Sequence, residues 1–259
     1  MVKSRALRKL RSGDFIKVPT ISRVTDPWLT EVVGRLGFDA IWLDMEHRPL
    51  GYDILNPISL ACRATGIDLI VRILKTGYST PMRVLESGAN GSMVPHCRSV
   101  EEARQWVEWT RFAPLGRRGF DGAGADADYA LADPLEHLAH ANRETLLILQ
   151  VEDWEAVECV EKIAAVEGVD LLLIGPADLT LSYGVPMQFE HPEVQKAIDR
   201  VVSAVAKAGK WWGIATATPQ AAQRALDRGA RMITCGGDHV FLVRGFQDAY
   251  EQFKDLRIH

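Results

Sequence analysis

TLLILQVEDWEAVECVEKIAAVEGVDLLLIG, residues 145–175, predicts a strand, a helix and a second strand. The runs TLLILQVE (145–152) and DLLLIG (170–175) are short and rich in Leu, Ile and Val, which is typical of strands buried on both faces. The residues between them, 153–166, predict a helix. Two buried strands joined by a helix form the repeating unit of a parallel sheet, so the stretch indicates an α/β protein.

The same alternation covers the rest of the chain. Six more strands are predicted at FIKVP (15–19), AIWLDM (40–45), DLIVRI (68–73), GSMVP (91–95), WWGIAT (211–216) and MITCGG (232–237). Further helices are predicted at about 27–36, 52–65, 79–88, 99–111, 192–209, 219–228 and 239–255. Eight strands, each followed by a helix, predict a (β/α)₈ TIM barrel in one domain over residues 1–259, preceded by a short amphipathic helix. The rival fold, a doubly wound open sheet, has no GxGxxG or Walker pattern to support it.

Composition excludes several classes of function. The chain has 259 residues and a net charge of −4, so it lacks the basic surface of a nucleic-acid-binding protein. No apolar stretch approaches the ~20 residues that span a bilayer, and the basic N-terminus is not followed by the apolar core of a secretory signal. The four cysteines are far apart and form no CxxC pair, which favours reduced thiols in a cytoplasmic protein over a zinc site.

Polar residues stand where the predicted strands end, which is where a TIM barrel places its catalytic groups. They are Asp44, Glu46 and His47 after the second strand, Arg72 in the third, Gln150 and Glu152 in the fifth, and Asp178 after the sixth. The two-residue period of a strand puts Gln150 and Glu152 on one face. Several carboxylates at one mouth would repel each other unless their pKa values rise or a cation lies among them.

Glu152 and Asp178 come from neighbouring strands and can share one ion, and two carboxylates with waters and substrate oxygens are a usual site for Mg²⁺ or Mn²⁺. His47 could act as a general base near neutral pH. Glu86, near the end of a predicted helix, could orient His47 and raise its basicity. Each residue alone also has a structural explanation: Asp178 and Asp153 as caps, Arg72 as a partner of Asp44, His47 as a loop histidine, Glu86 as a surface charge, and His96 as a weaker candidate for the mouth.

These motifs resemble the metal-dependent pyruvate aldolases of the 4-hydroxy-2-oxoheptanedioate aldolase family, which includes 2-dehydro-3-deoxyglucarate and 2-keto-3-deoxyrhamnonate aldolases. The likeness extends from about residue 37 to 242. It is carried by GFDAIWLDMEH (37–47), the VR of the third strand (71–72), MVPH (93–96), APLGRRG (113–119), LQVED (149–153), VEGVDLLLIGPADLT (166–180) and HPEVQKAI (191–198).

The resemblance implies a reversible aldol cleavage of a 4-hydroxy-2-oxo acid to pyruvate, or a close analogue such as hydroxypyruvate, and an aldehyde. It implies that Glu152 and Asp178 hold the divalent metal, Mg²⁺ or Mn²⁺ with Co²⁺ or Zn²⁺ as alternatives. It also implies that Gln150 and the backbone of Ala177 and Asp178 hold the 2-oxo acid. Arg72 would stabilise the enolate oxygen, with Asp44 as a further catalytic residue, and His47 would be the acid/base.

Two departures from the family pattern affect this assignment. The family pairs its histidine with an aspartate, and this chain has Glu86 there, one methylene longer. The segment FDGAGADADY (120–129) is acidic where relatives often carry serine or arginine. If this segment touches the aldehyde, an acidic aldehyde such as succinic semialdehyde would be repelled, and a neutral, hydroxylated aldehyde is expected.

The resemblance also implies a homohexamer in which the C-terminal helix, about 239–255, packs on a neighbouring subunit. The aromatic residues of that helix would equally fit the outer ring of the barrel itself. Two other functions remain open at this point: an acyl-CoA lyase of the citramalyl-CoA type on the same barrel, and a non-catalytic barrel protein.

Overall fold

In the computed structural model, which describes residues 1–258, eight parallel strands close into one barrel in sequence order. The strands are β1 (Ile16–Ile21), β2 (Ala40–Asp44), β3 (Asp68–Arg72), β4 (Gly91–Val94), β5 (Leu146–Val151), β6 (Leu171–Ile174), β7 (Trp211–Ile214) and β8 (Met232–Gly237). β8 pairs with β1 through Met232 and Ile16, which closes the ring. The predicted (β/α)₈ barrel is confirmed.

Helices surround the barrel. They are α1 (Arg5–Arg11), α2 (Pro27–Arg35), α3 (Leu55–Thr65), α4 (Ser79–Glu86), α5 (Val100–Thr110), α6 (Pro134–Glu144), α7 (Trp154–Glu158), α8 (Val160–Ala164), α9 (Pro176–Ser182), α10 (Pro192–Ala208), α11 (Pro219–Asp227) and α12 (Asp238–Phe253). The lead helix α1 is where the sequence predicts it, whereas α6 and α9 are additional and the helix predicted at 153–166 is divided at Cys159. The start of α6 follows from Asp133, whose side chain accepts hydrogen bonds from Leu135 and Glu136 ahead of the first-turn proline.

The strand period of two separates an inner from an outer set of side chains. The inner set forms its own apolar cluster: Ile16, Val18, Ala40, Trp42, Ile70, Met93, Leu146, Ile148, Leu171, Leu173 and Met232. Ala6, Leu7 and Leu10 of α1 belong to this cluster and pack against the barrel interior from below. α1 thus covers the N-terminal ends of the strands. The polar side chains of the inner set lie at the other end of the barrel, the mouth formed by the C-terminal strand ends.

Asp68, at the start of β3, attaches α1 to the barrel. Its carboxylate accepts hydrogen bonds from the Ser4 hydroxyl and from the backbone N–H groups of Arg5 (3.0 Å) and Ala6 (2.9 Å). These N–H groups would have no partner within the helix, so the carboxylate satisfies them from the barrel side. Burial raises the pKa of Asp68 to about 6.

All four cysteines are free thiols, in agreement with the sequence. Among residues 1–258, no helix has both the length and the apolar character needed to cross a membrane.

Candidate active site

The inner side chains of β2 and β3 meet at the mouth in a buried ion pair. Asp44 ends β2 and Arg72 ends β3, and the two residues are register partners in the sheet. Arg72 donates two parallel hydrogen bonds to Asp44, from Nε at 2.9 Å and from Nη2 at 2.8 Å. Burial would raise the pKa of Asp44, but these hydrogen bonds and the charge of Arg72 hold it below its usual range. The pair is therefore a fixed Asp–Arg unit at pH 7.

The remaining nitrogen of Arg72 faces two other side chains. Nη1 lies 3.0 Å from Oε2 of Glu46 and 3.5 Å from Oε1 of Gln150. The guanidinium carbon lies 4.8 Å from the centre of the Trp42 ring, so the cation stacks on an aromatic face inside the barrel. Asp44, Glu46 and Trp42 thus hold the guanidinium of Arg72 in place, and its Nη1 is the nitrogen that lies near Gln150.

Glu152 follows β5 and is almost fully buried. Its Oε1 accepts a hydrogen bond from the His96 backbone N–H at 2.8 Å, and its Oε2 accepts one from Gln150 Nε2 at 3.0 Å. Burial raises the pKa of Glu152 to about 7, the His96 N–H opposes this effect, and the charge of Asp178 adds to it. A Cβ on residue 175 would collide with this carboxylate, so glycine there leaves the space that Glu152 occupies.

His96 follows β4 and has a backbone φ of 46°, in the left-handed region that residues other than glycine seldom adopt. Its Nδ1 lies 2.9 Å from Oδ2 of Asp153, which also binds Arg98 at 3.0 Å through its other oxygen. Its Nε2 lies 3.8 Å from Oε1 of Glu46. Burial lowers the pKa of His96, but the hydrogen bond with Asp153 and the charge of Glu152 outweigh this effect and raise it.

A cavity of about 650 Å³ lies beside the Arg72–Asp44 pair and Glu152. Arg72, Gln150 and Glu152 line it together with the segment Gly175-Pro176-Ala177-Asp178 at the start of α9. Arg72, Gln150, Glu152 and Asp178 therefore share one cavity, whereas Asp44, Glu46 and His47 are not among the residues that line it. The cavity also extends along Trp212, Ile214 and Thr216 of β7 and the residues after it, so it is larger than a pyruvate molecule requires.

Glu152 and Asp178 both line this cavity and carry the carboxylate oxygens that a divalent metal would suit. No cluster of three or more His, Cys, Asp and Glu side chains with metal-binding geometry occurs among residues 1–258. A cation here would instead take Glu152 and Asp178 with oxygens from water and substrate, which is the pattern of Mg²⁺ and Mn²⁺. Glu152 is buried and lies near the charge of Asp178, while Arg72 pairs with Asp44 and Glu46, so a cation bound by the two carboxylates would offset their repulsion.

His47 lies at the edge of this site. Its side chain is 55% exposed, its Nε2 is 3.9 Å from Oε2 of Glu46, and its backbone N–H points to Oδ1 of Asp44 at 3.4 Å. The structure therefore places His47 beside the carboxylates of its own loop, with access to solvent.

The structure does not bring Glu86 to His47. Glu86 is the last residue of α4, and helices in this barrel run from the mouth towards the opposite end, which takes Glu86 away from the histidine. It lies instead in a separate cavity of about 650 Å³ beside α3 and the 121–129 segment. Burial raises its pKa, and no hydrogen bond of its Oε1 is present within residues 1–258. The proposed His47–Glu86 contact is thus absent from the described chain.

The acidic segment 120–129 also lies outside the cavity of Arg72 and Glu152. Ala125 donates a backbone hydrogen bond to the Glu86 carbonyl, Asp128 pairs with Arg63 at 3.3 Å, and Asp126 pairs with Arg118 at 2.5 Å. Two of its three acids thus have cationic partners on the outer layer. The expected repulsion of an acidic aldehyde has no structural basis within this chain.

Sequence reasoning underestimated His96 and Glu46. The DxEH pattern pointed to Asp44 and His47, yet Glu46 is the carboxylate that lies between Arg72, His47 and His96. A signal for His96 was available in MVPH, since a polar residue directly after an apolar strand is expected at the mouth. Its left-handed backbone was not foreseeable from that pattern.

Comparison with known proteins places this geometry in a family. The model of the HpcH/HpaI aldolase/citrate lyase family matches residues 22–244. The 2-keto-3-deoxy-L-rhamnonate aldolase of Salmonella gallinarum is 32% identical over 249 residues, which cover 96% of this chain and 92% of that protein.

Solved structures agree. An HpcH/HpaI aldolase from Desulfitobacterium hafniense superposes with a TM-score of 0.92 at 29% identity and 97% coverage of both chains. A family member from Burkholderia cenocepacia gives 0.89 at 30% identity, with 98% of this chain and 100% of that chain covered. The chain therefore belongs to the HpcH/HpaI aldolase/citrate lyase family, and it is a carbon–carbon lyase of the class II pyruvate aldolase type.

Proposed function

We propose that this enzyme cleaves a 2-keto-3-deoxy acid with a hydroxyl at C4 into pyruvate and an aldehyde, with Mg²⁺ or Mn²⁺ held by Glu152 and Asp178. The observation that carries the proposal is the single cavity lined by Arg72, Gln150, Glu152 and Asp178. One anchored cation, one amide and two carboxylates suit a bound 2-oxo acid with a divalent ion. The rhamnonate aldolase of Salmonella gallinarum supports this substrate class.

The reaction needs charge stabilisation at the keto oxygen. When bound, the metal ion supplies positive charge that polarises the 2-oxo group of the substrate. Arg72 is the second source: its guanidinium is fixed by Asp44, so Nη1 can donate to the oxygen on which negative charge develops. Gln150 lies 3.5 Å from the same nitrogen and can orient the carboxylate or keto oxygen of the substrate.

His47, at the mouth of the barrel, carries out the proton transfer. In cleavage, His47 accepts the proton of the C4 hydroxyl, the C3–C4 bond breaks, and its electron pair stays on the pyruvate fragment as an enolate. The C4 oxygen becomes the carbonyl of the aldehyde, and the enolate takes a proton at C3 from water, which balances the proton that His47 removed from the hydroxyl. The exposure of His47 lets it return its proton to solvent between turnovers.

Proton NMR of pyruvate in D₂O tests the enolate step without any assumption about the aldehyde. With Mg²⁺, the methyl signal should disappear through exchange, and EDTA should abolish the loss. Glu152→Gln should behave like the EDTA sample, whereas Glu167→Gln, an exposed control of the same chemistry, should match the unaltered enzyme. Proton exchange that continues in the presence of EDTA would contradict the requirement for a divalent metal. Absence of exchange with metal bound would favour the acyl-CoA lyase alternative.

We also propose that the enzyme works as a homo-oligomer, a hexamer by its resemblance to the family, in the cytoplasm. α12 supports this: its large apolar residues Phe241, Leu242, Val243, Phe246, Tyr250 and Phe253 are between 43% and 73% exposed. Such a surface on one helix is typical of a contact between subunits. Phe246→Asp with Tyr250→Asp should lower the mass measured by light scattering, whereas Asp248→Asn on the same helix should not.

A further inference from the structure

His96 makes contacts with both halves of the candidate site. Its backbone N–H binds Oε1 of Glu152 at 2.8 Å, and its Nε2 faces Glu46 at 3.8 Å. Glu46 in turn lies 3.0 Å from Nη1 of Arg72. His96 therefore lies between the carboxylate that would hold the metal and the cation that would hold the enolate oxygen.

The hydrogen bond to Glu152 depends on an unfavourable backbone conformation. A φ of 46° lies in the left-handed region, which is sterically unfavourable for a residue with a Cβ atom, so neighbouring contacts must stabilise it. Two are present: the His96 carbonyl accepts from Lys75 Nζ at 2.7 Å, and its Nδ1 lies 2.9 Å from Asp153. Asp153 is itself fixed by Arg98 at 3.0 Å.

The Asp153 carboxylate also determines which ring nitrogen of His96 carries the hydrogen. A carboxylate can only accept at pH 7, so Nδ1 carries the hydrogen and Nε2 points to Glu46 and the mouth. The side chain is 29% exposed, which is consistent with one edge bound to Asp153 and the other edge open on the side of Glu46. This is the arrangement by which outer groups commonly fix metal-binding side chains in one rotamer.

We infer that His96 is a positioning residue for the metal site: the Nδ1–H bond to Asp153 holds the left-handed backbone that directs the His96 N–H at Glu152. This inference rests on the proposed function only in taking Glu152 as a metal ligand. It assigns His96 no chemical step, and it predicts an effect on metal affinity that is separate from turnover.

The test compares two substitutions by Mn²⁺ titration, with free Mn²⁺ measured by electron paramagnetic resonance and no substrate present. His96→Leu removes the donor and disfavours the left-handed backbone, so the Mn²⁺ affinity should fall about 10–100-fold. His96→Asn keeps a side-chain N–H near the position of Nδ1 and tolerates positive φ, so its affinity should stay within about threefold of the unaltered enzyme. His140→Asn, remote from the cavity, is the control with no expected change.

Pyruvate proton exchange at saturating Mn²⁺ separates positioning from chemistry. There His96→Leu should keep its rate within a few fold, because the metal is loaded again. Circular dichroism checks folding, and His96→Ala, which cannot clash, takes the place of His96→Leu if that variant does not fold.

Three results would overturn the inference: unchanged affinity in His96→Leu, equal losses in the Leu and Asn variants, or a loss of rate of 100-fold or more at saturating metal. If the unaltered enzyme binds Mn²⁺ but exchanges no pyruvate protons, the proposed function fails while the affinity comparison still decides the role of His96.

Discussion

Asp44 and Arg72 are register partners on adjacent strands and form a two-pronged, buried ion pair at the mouth of the barrel. The N–O distances are 2.9 and 2.8 Å, and the two side chains are 4% and 9% exposed. Such a pair fixes the plane of the guanidinium, which a single point contact would not do. Its consequence is that the direction of Nη1 is set by Asp44, although Asp44 itself need not touch the substrate.

Asp44→Asn should therefore impair catalysis through Arg72. The amide keeps the shape of the side chain but removes the charge and one of the two acceptors, so Arg72 loses its fixed orientation. We expect kcat for pyruvate proton exchange to fall by about 10²-fold, the scale of losing one aligned oxyanion donor. Mn²⁺ affinity should change little, because Asp44 has no hydrogen bond to Glu152 or Asp178 within residues 1–258. Exchange kinetics and Mn²⁺ titration of the same preparation measure both quantities.

Asp248→Asn, on the exposed face of α12, is the matched control for that substitution. An unchanged kcat in Asp44→Asn would mean that Trp42 and Glu46 alone orient Arg72. A large fall in Mn²⁺ affinity would instead place Asp44 in the metal site.

A double-substitution cycle tests whether Asp44 acts only through Arg72. Arg72→Ala should lower kcat by about 10²-fold or more if the guanidinium stabilises the enolate oxygen. Once Arg72 is gone, Asp44 has nothing to orient, so Asp44→Asn in that background should cost little more. Non-additivity of this kind is expected for residues in direct contact.

The kinetic constants of the two single variants and the double variant give the interaction energy. Additive losses would show that Asp44 has a role of its own, and a fall of only a few fold in Arg72→Ala would remove the arginine from transition-state stabilisation.

The barrel is predictable from the sequence, and so is the grouping of Arg72, Gln150, Glu152 and Asp178 around one cavity. Alternation of apolar runs and helices predicts the topology, and the two-residue strand period predicts that Gln150 and Glu152 share one face; both line the cavity with Arg72. Both kinds of inference depend on local spacing, which a single sequence displays directly.

Features that depend on three-dimensional approach were not predictable in this way. The left-handed backbone of His96 is imposed by its neighbours, and nothing in MVPH encodes it. The position of Glu86 depends on where α4 ends relative to the mouth, and α4 is a single short helix whose path the sequence does not fix. The 120–129 segment turned to the outer layer through ion pairs with Arg63 and Arg118, which are distant or unremarkable in sequence.

Asp238 should give the enzyme a stability that depends on pH. It starts α12, and its Oδ2 accepts from the backbone N–H groups of Ser22 (3.0 Å), Arg23 (2.7 Å) and Val24 (2.8 Å). Burial alone would raise the pKa of Asp238, but these hydrogen bonds lower it below the usual 3.8. Because the folded state binds fewer protons, the stabilisation is complete well above the unfolded pKa of 3.8 and is lost as the pH falls through the lowered pKa of the folded state.

Asp238→Asn should accordingly reduce the free energy of unfolding by about 1–3 kcal/mol at pH 7, as measured by urea denaturation. The difference from the unaltered enzyme should shrink as the buffer is taken from pH 5 towards pH 3. A difference that stays constant over this range would mean that the carboxylate contributes by shape rather than by charge. Asp248→Asn again serves as the control.

Arg111 should contribute to stability and not to catalysis. Its side chain is 2% exposed and lies at the N-terminal ends of β5 and β6, opposite the mouth. It donates to the carbonyls of Thr145 (2.8 Å) and Gly168 (2.8 and 3.2 Å) and pairs with Asp170 at 2.5 Å. Arg111→Met keeps the length of the side chain but removes the side-chain donor from the Gly168 and Thr145 carbonyls and the cationic partner from Asp170.

We expect Arg111→Met to lower the free energy of unfolding by about 3–5 kcal/mol, the usual cost of removing one partner of a buried ion pair. Arg117→Met, at a side chain 85% exposed, should change it by less than about 0.5 kcal/mol. For protein that remains folded, kcat and Mn²⁺ affinity should equal those of the unaltered enzyme. The reason is that the active site lies at the mouth, at the opposite end of the barrel from Arg111. A loss of Mn²⁺ affinity in folded Arg111→Met would contradict this division, since it would show that the lower end of β5 controls the position of Glu152 at its upper end.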